Sequence, residues 1–196
     1  NVPCFVWHLD HALEVEGMGT ISVDVAYGGM VYAVADAEAL GFRVEADEAR
    51  DIAAAGERIR IAAAEQIEAI HPENPGINTV SIVTIAAPIV DHGGGRKASR
   101  NATVAPPAHI DRCPTGTATS ARLAIMHARG QIEPGQVFEN RSIIDTVFEV
   151  EIVDTTLVGS VPAVIPSLAG RGWVTGIHQY GLDPTDPFPE AFRLDD

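Results

Sequence analysis

The chain has 196 residues, 46% of them hydrophobic, and a formal net charge of -14 at pH 7. That is enough apolar content to bury the core of one large or two small domains, and too much negative charge for nucleic-acid phosphates or anionic membrane surfaces. Two cysteines, Cys4 and Cys113, are too few for a secreted disulfide framework and lack metal-site spacing. With no membrane-length apolar run and no signal-peptide pattern, they point to a soluble cytoplasmic protein whose partners are small molecules.

In chain order, residues 2–7 and 12–16 read as short extended segments of a hairpin, with Gly17-Met18-Gly19 as its turn. Residues 20–27 alternate polar and apolar in the pattern of a half-buried strand, which stops at Gly28-Gly29 and resumes over 30–35. The double glycine marks either a bulge or a place where a ligand nears the backbone. Residues 47–70 carry the strongest helical pattern, with Ile52, Ala55, Ile59, Ala62, Ala63, Ile67 and Ile70 on one stripe, a mixed-charge face opposite, and Gly56 as a loosening element. A strand is expected over 79–86. The glycine-rich run 91–97 reads as a flexible loop without Walker A spacing. Segments 100–104 and 109–112 are extended, with Pro106-Pro107 turning between them. Later, 147–153, 161–166 and 172–177 read as strands of an antiparallel closing sheet. From Leu182 onward, proline and aspartate predict an irregular tail.

The stretch from Asp111 to Arg122 organises the rest. Pro114 and Gly116 break the preceding extended segment, Thr117 and Thr119 are candidate N-caps of a helix over about 117–129, and Gly130 lies just past its end. Apolar residues go almost all the way round this helix, so it is expected to be wrapped by other elements. Its N-terminus offers unpaired N–H groups and partial positive charge to a carboxylate or phosphate, and Gly116 permits close approach. Asp111 adds a fixed negative charge at the same mouth, a pairing that suits an amino-acid zwitterion. The same residues also fit an ordinary turn in which Asp111 bonds Arg112 or a backbone amide.

Elsewhere, His8-Leu9-Asp10-His11 has metal-ligand residue types but no further ligands at an obvious spacing, and nothing in the sequence calls for a metal or a cofactor. Asp183 and Asp186 stand beside prolines in turn contexts, Cys4 reads as a small buried hydrophobe, and His178 is a candidate for contact with substrate or another domain.

The central stretch Asp111-Arg112-Cys113-Pro114-Thr115-Gly116-Thr117 resembles an active-site motif of the proline racemase superfamily, which comprises proline racemases, 4-hydroxyproline 2-epimerases and trans-3-hydroxy-L-proline dehydratases. Asn1-Val2-Pro3-Cys4-Phe5, Asp24 to Gly29, His71-Pro72-Glu73, Arg141 to Ile144, and Gly176 to Tyr180 with Asp183 to Phe188 resemble further family segments in the same order. The resemblance implies an α/β (α+β) fold like that of diaminopimelate epimerase, with a curled, mostly antiparallel sheet around a central buried helix. Residues 1–180 would be the C-terminal lobe of a two-lobe enzyme and 181–196 a tail. The N-terminal lobe and its Cys-Gly-His motif, which carries a base, would be largely absent from this chain, leaving the isolated chain inactive.

By the family pattern, Asp111 holds the substrate amino group, while Gly116 and Thr117 offer backbone donors to its carboxylate. Thr115 occupies the position of a catalytic cysteine in the racemases and epimerases. A threonine hydroxyl is far too weak an acid to act as a thiolate-like base near neutral pH. Threonine here resembles the dehydratases, which implies a hydro-lyase acting on trans-3-hydroxy-L-proline with Thr115 assisting the leaving hydroxyl. Alternatives are a proline racemase or 4-hydroxyproline epimerase, for which Cys113 would supply the missing thiol, and a non-catalytic imino-acid-binding module. Thr103, Cys113 and His178 complete the candidate site residues, the small-molecule partner is an imino acid, and a homodimer is a further expectation.

Overall fold

The computed structural model describes residues 1–190. The apolar residues of the motif helix, α2 (Gly116–Ala128), find partners on every side because strands enclose it. The chain first lays down β1 (Cys4–Val15), β2 (Gly19–Tyr27) and β3 (Val31–Asp36), then a single 3-10 turn (Ala46–Glu48) leading into α1 (Ala49–Gln66). β4 (Ile82–Ala86), β5 (Val90–Gly93), β6 (Arg96–Ala105) and β7 (His109–Ile110) precede α2, and β8 (Val137–Arg141), β9 (Val147–Val158) and β10 (Val161–Gly170) follow it.

These ten strands form one sheet in the order β4-β3-β2-β1-β10-β9-β8-β6, with β6 also pairing back onto β4, so that eight strands close into a barrel. β5 and β7 pair only with β6. The neighbours are antiparallel except β3–β4 and β6–β8. Parallel neighbours need a crossover connection, and the two helices supply the two crossovers. α1 runs over the outside of the barrel, and α2 runs through its interior.

Period-two alternation sorts the strand residues between these helices. On β2, Val23, Val25 and Tyr27 join the outer core with Ile52, Ile59 and Ala63 of α1, while Ala26 faces inward with Ala118, Ala121 and Ile125 of α2. The other side of α2, Leu123, Ala124 and Met126, packs with Cys4, Phe138, Val150, Ile152 and Val164. Alanine along α2 lets a barrel of this girth hold a helix.

The double glycine serves this packing. A Cβ at Gly28 would lie 2.0 Å from the Thr117 carbonyl oxygen, so the position is a close approach between strand and helix; neither a bulge nor a ligand is needed to explain it. Gly56 has a similar use. A Cβ there would meet the Val104 side chain at 2.6 Å, so the glycine seats α1 on β6 rather than loosening the helix.

Several sequence expectations shift. α2 begins one residue earlier than expected and ends at Ala128, and its N-cap is Thr115 rather than Thr117 or Thr119. α1 stops at Gln66 because Ile67 turns extended, with φ -111° and ψ 119°, and continues the core from a non-helical segment. The first strand is continuous over Cys4–Val15, with a shifted register around His8 and His11. The 91–97 run is the tip of a β5–β6 hairpin turning at Gly94-Gly95 rather than a loose loop. Residues 172–177 form no strand; β10 carries the pairing on to Gly170, and irregular structure starts at 171, before the expected tail. The end of the expected tail, 191–196, lies outside the described residues.

The Gly56 contact makes a mutational test. Gly→Ala in a helix interior ordinarily stabilises by about 1 kcal/mol. Here Gly56→Ala is expected to destabilise by about 1–3 kcal/mol through overpacking against Val104, with most of the loss removed in a Val104→Ala background. Chemical denaturation of the two single variants and the double variant checks this; a stabilising Gly56→Ala would refute the close packing.

Candidate active site

The loop between β7 and α2 is held from three directions. The Asp111 amide donates to the Thr103 carbonyl at 3.1 Å, which extends the β6–β7 pairing by one residue and delivers Asp111 to the barrel mouth. The Pro114 carbonyl accepts from Asn101 Nδ2 at 3.2 Å and from Thr119 Oγ1 at 3.0 Å, both inside the barrel. From the side, Thr146 Oγ1, in the β8–β9 turn, donates to the Arg112 carbonyl at 2.9 Å.

Thr115 sits where these constraints meet. Its φ of 62° and ψ of 110° place a β-branched residue in a region it seldom adopts, and strain of this kind costs on the order of 1–3 kcal/mol and gathers at functional sites. Its hydroxyl does not cap the helix; it donates to Oδ2 of Asp111. The amides of Gly116, Thr117 and Ala118 therefore have no side-chain cap, and the positive end of α2 faces the mouth beside a half-buried carboxylate. The structure brings Asp111, Thr115, Gly116 and Thr117 together at one point.

Thr117 is fixed in turn. Its Oγ1 lies 2.6 Å from the Tyr32 hydroxyl. Burial pushes the Tyr32 phenol up to about 12, partly offset by the Thr117 bond and reinforced by the Asp111 carboxylate, so it stays neutral. Asn1 Nδ2 bridges the Gly28 carbonyl at 3.2 Å and Ser120 Oγ at 2.8 Å. Against this frame opens a cavity of about 440 Å³, lined by Asn1, Gly116, Thr117, Phe148, Leu168 and Gly170.

The remaining candidates stand apart. Cys113 is exposed on the bend ahead of Pro114. Thr103 is buried behind the loop, where its Oγ1 meets Thr84 at 3.1 Å and accepts from Asn101, so it supports the site rather than lining it. His178 is exposed in the irregular stretch after β10, stacked on Tyr180. Cys4 is fully buried, and burial pushes its thiol up to about 12, partly offset by Ser120. Asp183 and Asp186 accept from the amides of Thr185 and Phe188 at 2.9 and 2.8 Å, the bonding their turn context predicts. In the His8–His11 stretch the two rings lie 5.0 Å apart, and Asp10 is ion-paired to Arg129.

Sequence reasoning missed Asn1, Tyr32, Asn101 and Thr146. A signal for Asn101 was present: Asn101 and Thr103 alternate with Ala102 and Val104, and on a strand buried on both faces the polar alternates must find partners inside.

A barrel closed around a helix, whose uncapped N-terminus and adjoining carboxylate mark a candidate site at one mouth, has the architecture of the diaminopimelate epimerase type. A family model described as proline racemase matches residues 1–193, and the chain belongs to that family. Among solved structures it is similar to a probable proline racemase from Agrobacterium radiobacter with bound carbonate, at 38% identity and a TM-score of 0.84, covering 99% of this chain and 56% of that one. It is likewise similar to a hydroxyproline epimerase from Agrobacterium vitis with bound trans-4-hydroxy-L-proline, at 40% identity and a TM-score of 0.82, covering 100% of this chain and 55% of that one. The chain thus spans about half the length of these two proteins.

The two thiols differ in a way that can be read directly. A thiol-specific alkylating reagent at neutral pH is expected to modify Cys113 in the native protein and to reach Cys4 only after unfolding. Peptide mass spectrometry before and after adding denaturant checks this; native labelling of Cys4 would show that the barrel end near Val2 opens.

Proposed function

We propose that the complete enzyme to which this chain contributes is a hydro-lyase that dehydrates trans-3-hydroxy-L-proline, with residues 1–180 acting as one of two lobes. The observation that carries this reading is Thr115, strained at the helix N-cap and hydrogen-bonded to Asp111, where the racemase pattern has a thiol. The imino nitrogen pairs with Asp111, and the substrate carboxylate accepts from the amides of Gly116 and Thr117. A base outside these residues removes the α-proton. The C–H electron pair then forms the C2–C3 double bond, and the C3–O pair departs with the hydroxyl, which takes a proton and leaves as water. The enamine product tautomerises to a cyclic imine.

Thr115 fits the second half of that sequence. Once the imino nitrogen engages Asp111, the threonine hydroxyl is released to donate to the departing oxygen, a role that needs a hydrogen bond and no thiolate. With proline there is no 3-hydroxyl to expel, and a one-base site returns the proton to the face it left.

A second reading, proline racemase or 4-hydroxyproline 2-epimerase, is favoured by the similarity to proteins of those descriptions. In this chain it requires Cys113 to reach the substrate face that Thr115 occupies.

The deciding experiment incubates the full-length enzyme with trans-3-hydroxy-L-proline, L-proline and trans-4-hydroxy-L-proline in deuterated water, following imine formation and the chirality of recovered amino acid. Imine from the first substrate and no inversion of the others is expected, with Thr115→Ser retaining dehydration and Thr115→Cys beginning to invert. Rapid D-proline formation without imine would overturn the lyase in favour of the racemase. For binding, Asp111→Ala is expected to weaken pyrrole-2-carboxylate by about 2–3 kcal/mol, while Glu68→Ala on the solvent face leaves it unchanged; equal affinities by calorimetry would remove Asp111 from the site.

A further inference from the structure

At the opposite mouth of the barrel, around the C-terminal end of α2, lies a second cavity of about 560 Å³. It is walled by Val34, Ala86, Pro88, Ile89, Ile125 and Met126, and its size falls within the roughly 300–1,000 Å³ typical of small-molecule sites. The charged residues that line it are Asp10, Asp24, Asp36, Arg122 and Arg129. Three of them are paired, with one negative charge in excess: Arg129 Nη2 lies 2.7 Å from Asp24 Oδ1 and 2.8 Å from Asp10 Oδ1. The end of α2 is also satisfied, since the Ile125, Met126 and His127 carbonyls accept from the amides of Arg129, Gln131 and Gly130.

Two charges remain. Arg122 is buried, 5% exposed, at the floor. It donates to Asn140 Oδ1 at 2.9 Å and Ser99 Oγ at 2.8 Å, with longer contacts to the Ala87 and Arg100 carbonyls, and it lies over the Phe138 ring. All of these partners are neutral, and among the described residues no carboxylate lies within ion-pair distance. Asp36 is exposed at the rim, where one oxygen accepts from the Ala39 amide at 2.9 Å, and among the described residues no cation pairs with it. A buried guanidinium without a counter-charge costs several kcal/mol relative to a paired one. Here its orientation is nonetheless locked, because Asn140 is itself bonded to Thr119 Oγ1 at 2.8 Å. The arrangement is a preorganised cation at the floor, a free anion at the rim and an apolar wall between them.

We propose that this cavity binds a small zwitterion with separated charges, an ω-amino carboxylate whose carboxylate meets Arg122, whose ammonium meets Asp36 and whose methylenes lie against Ile89 and Ile125. A single-charge ligand satisfies only one end, and a dianion is repelled by the acidic rim. The site is separate from the one at Asp111 and places no demand on the reaction carried out there.

The test titrates the chain with γ-aminobutyrate and ε-aminohexanoate, using butyrate as the control that lacks the ammonium, and follows binding by calorimetry and by NMR of the Ile125 and Met126 methyl groups. Saturable shifts of those methyls, with the Gly116 and Thr117 amides unmoved, are expected for at least one zwitterion. Asp36→Asn, at an exposed position, should weaken the zwitterion about tenfold and leave butyrate unchanged. Ala39→Trp, also exposed, should close the mouth to both. Arg122→Gln should abolish binding where it folds, and if it does not fold the two rim variants decide. Absence of saturable methyl shifts at millimolar ligand, perturbation confined to Gly116 and Thr117, or equal zwitterion affinity in wild type and Asp36→Asn would each overturn the proposal.

Discussion

The constraint on which everything else depends is that a polar-ended helix is enclosed in a closed barrel. Burying the flanks of α2 is favourable because its side chains are mostly alanine, leucine, isoleucine and methionine. Its ends are a different matter, since each terminus leaves backbone groups that no residue of the helix can satisfy. At the C-terminal end the chain closes them with its own amides, through Gly130 in the left-handed conformation. At the N-terminal end it does not, because Thr115 turns its hydroxyl to Asp111. That difference between the two ends is what makes one mouth receptive to an anion.

The polar residues inside the barrel follow from the same constraint. Pro114 brings a carbonyl into the interior, Asn101 and Thr119 meet it, Asn140 meets Thr119, and Arg122 meets Asn140. The buried network fixes the loop geometry from beneath, where solvent cannot compete for its hydrogen bonds. It is nearly complete: Asn101 Oδ1 is the single buried side-chain oxygen or nitrogen without a partner among the described residues. Rigidity of this kind suits the proposed role of the site, which is to hold an imino acid in one orientation.

Much of this was legible in the sequence. The wrapped character of α2 followed from apolar residues on all its faces, and the grouping of Asp111 with the helix start followed from their spacing. The family resemblance ran through segments that prove to be structural supports as well: Asn1 bridges Gly28 and Ser120, and the turn after Arg141 holds the Arg112 carbonyl. What was not legible depends on contacts distant in sequence. Gly28 and Gly56 look like a strand break and a helix defect until the opposing Thr117 and Val104 are known. The capping threonine was misassigned because Thr115 and Thr117 are equally plausible caps locally; the phenol that claims the Thr117 hydroxyl lies on β3, while the Thr115 hydroxyl turns to Asp111 in its own loop. The expected strand at 172–177 had the right composition but, among the described residues, no neighbour with which to pair.

Closure of the eight strands also governs how the molecule can meet another polypeptide. Every barrel strand has two neighbours, but β1 meets β10 only at Cys4 and Phe5 and β9 meets β8 only over residues 147–151, so the unshared edges are the free sides of those long strands together with the short β5 and β7. Addition of a foreign strand, the commonest accident of an open sheet, therefore has few places to start, chiefly the free sides of β1 and β9. Elsewhere on the barrel association is written in side chains, by shape and charge, so a contact surface there can drift or be redesigned without disturbing the hydrogen-bond ladder that encloses the helix.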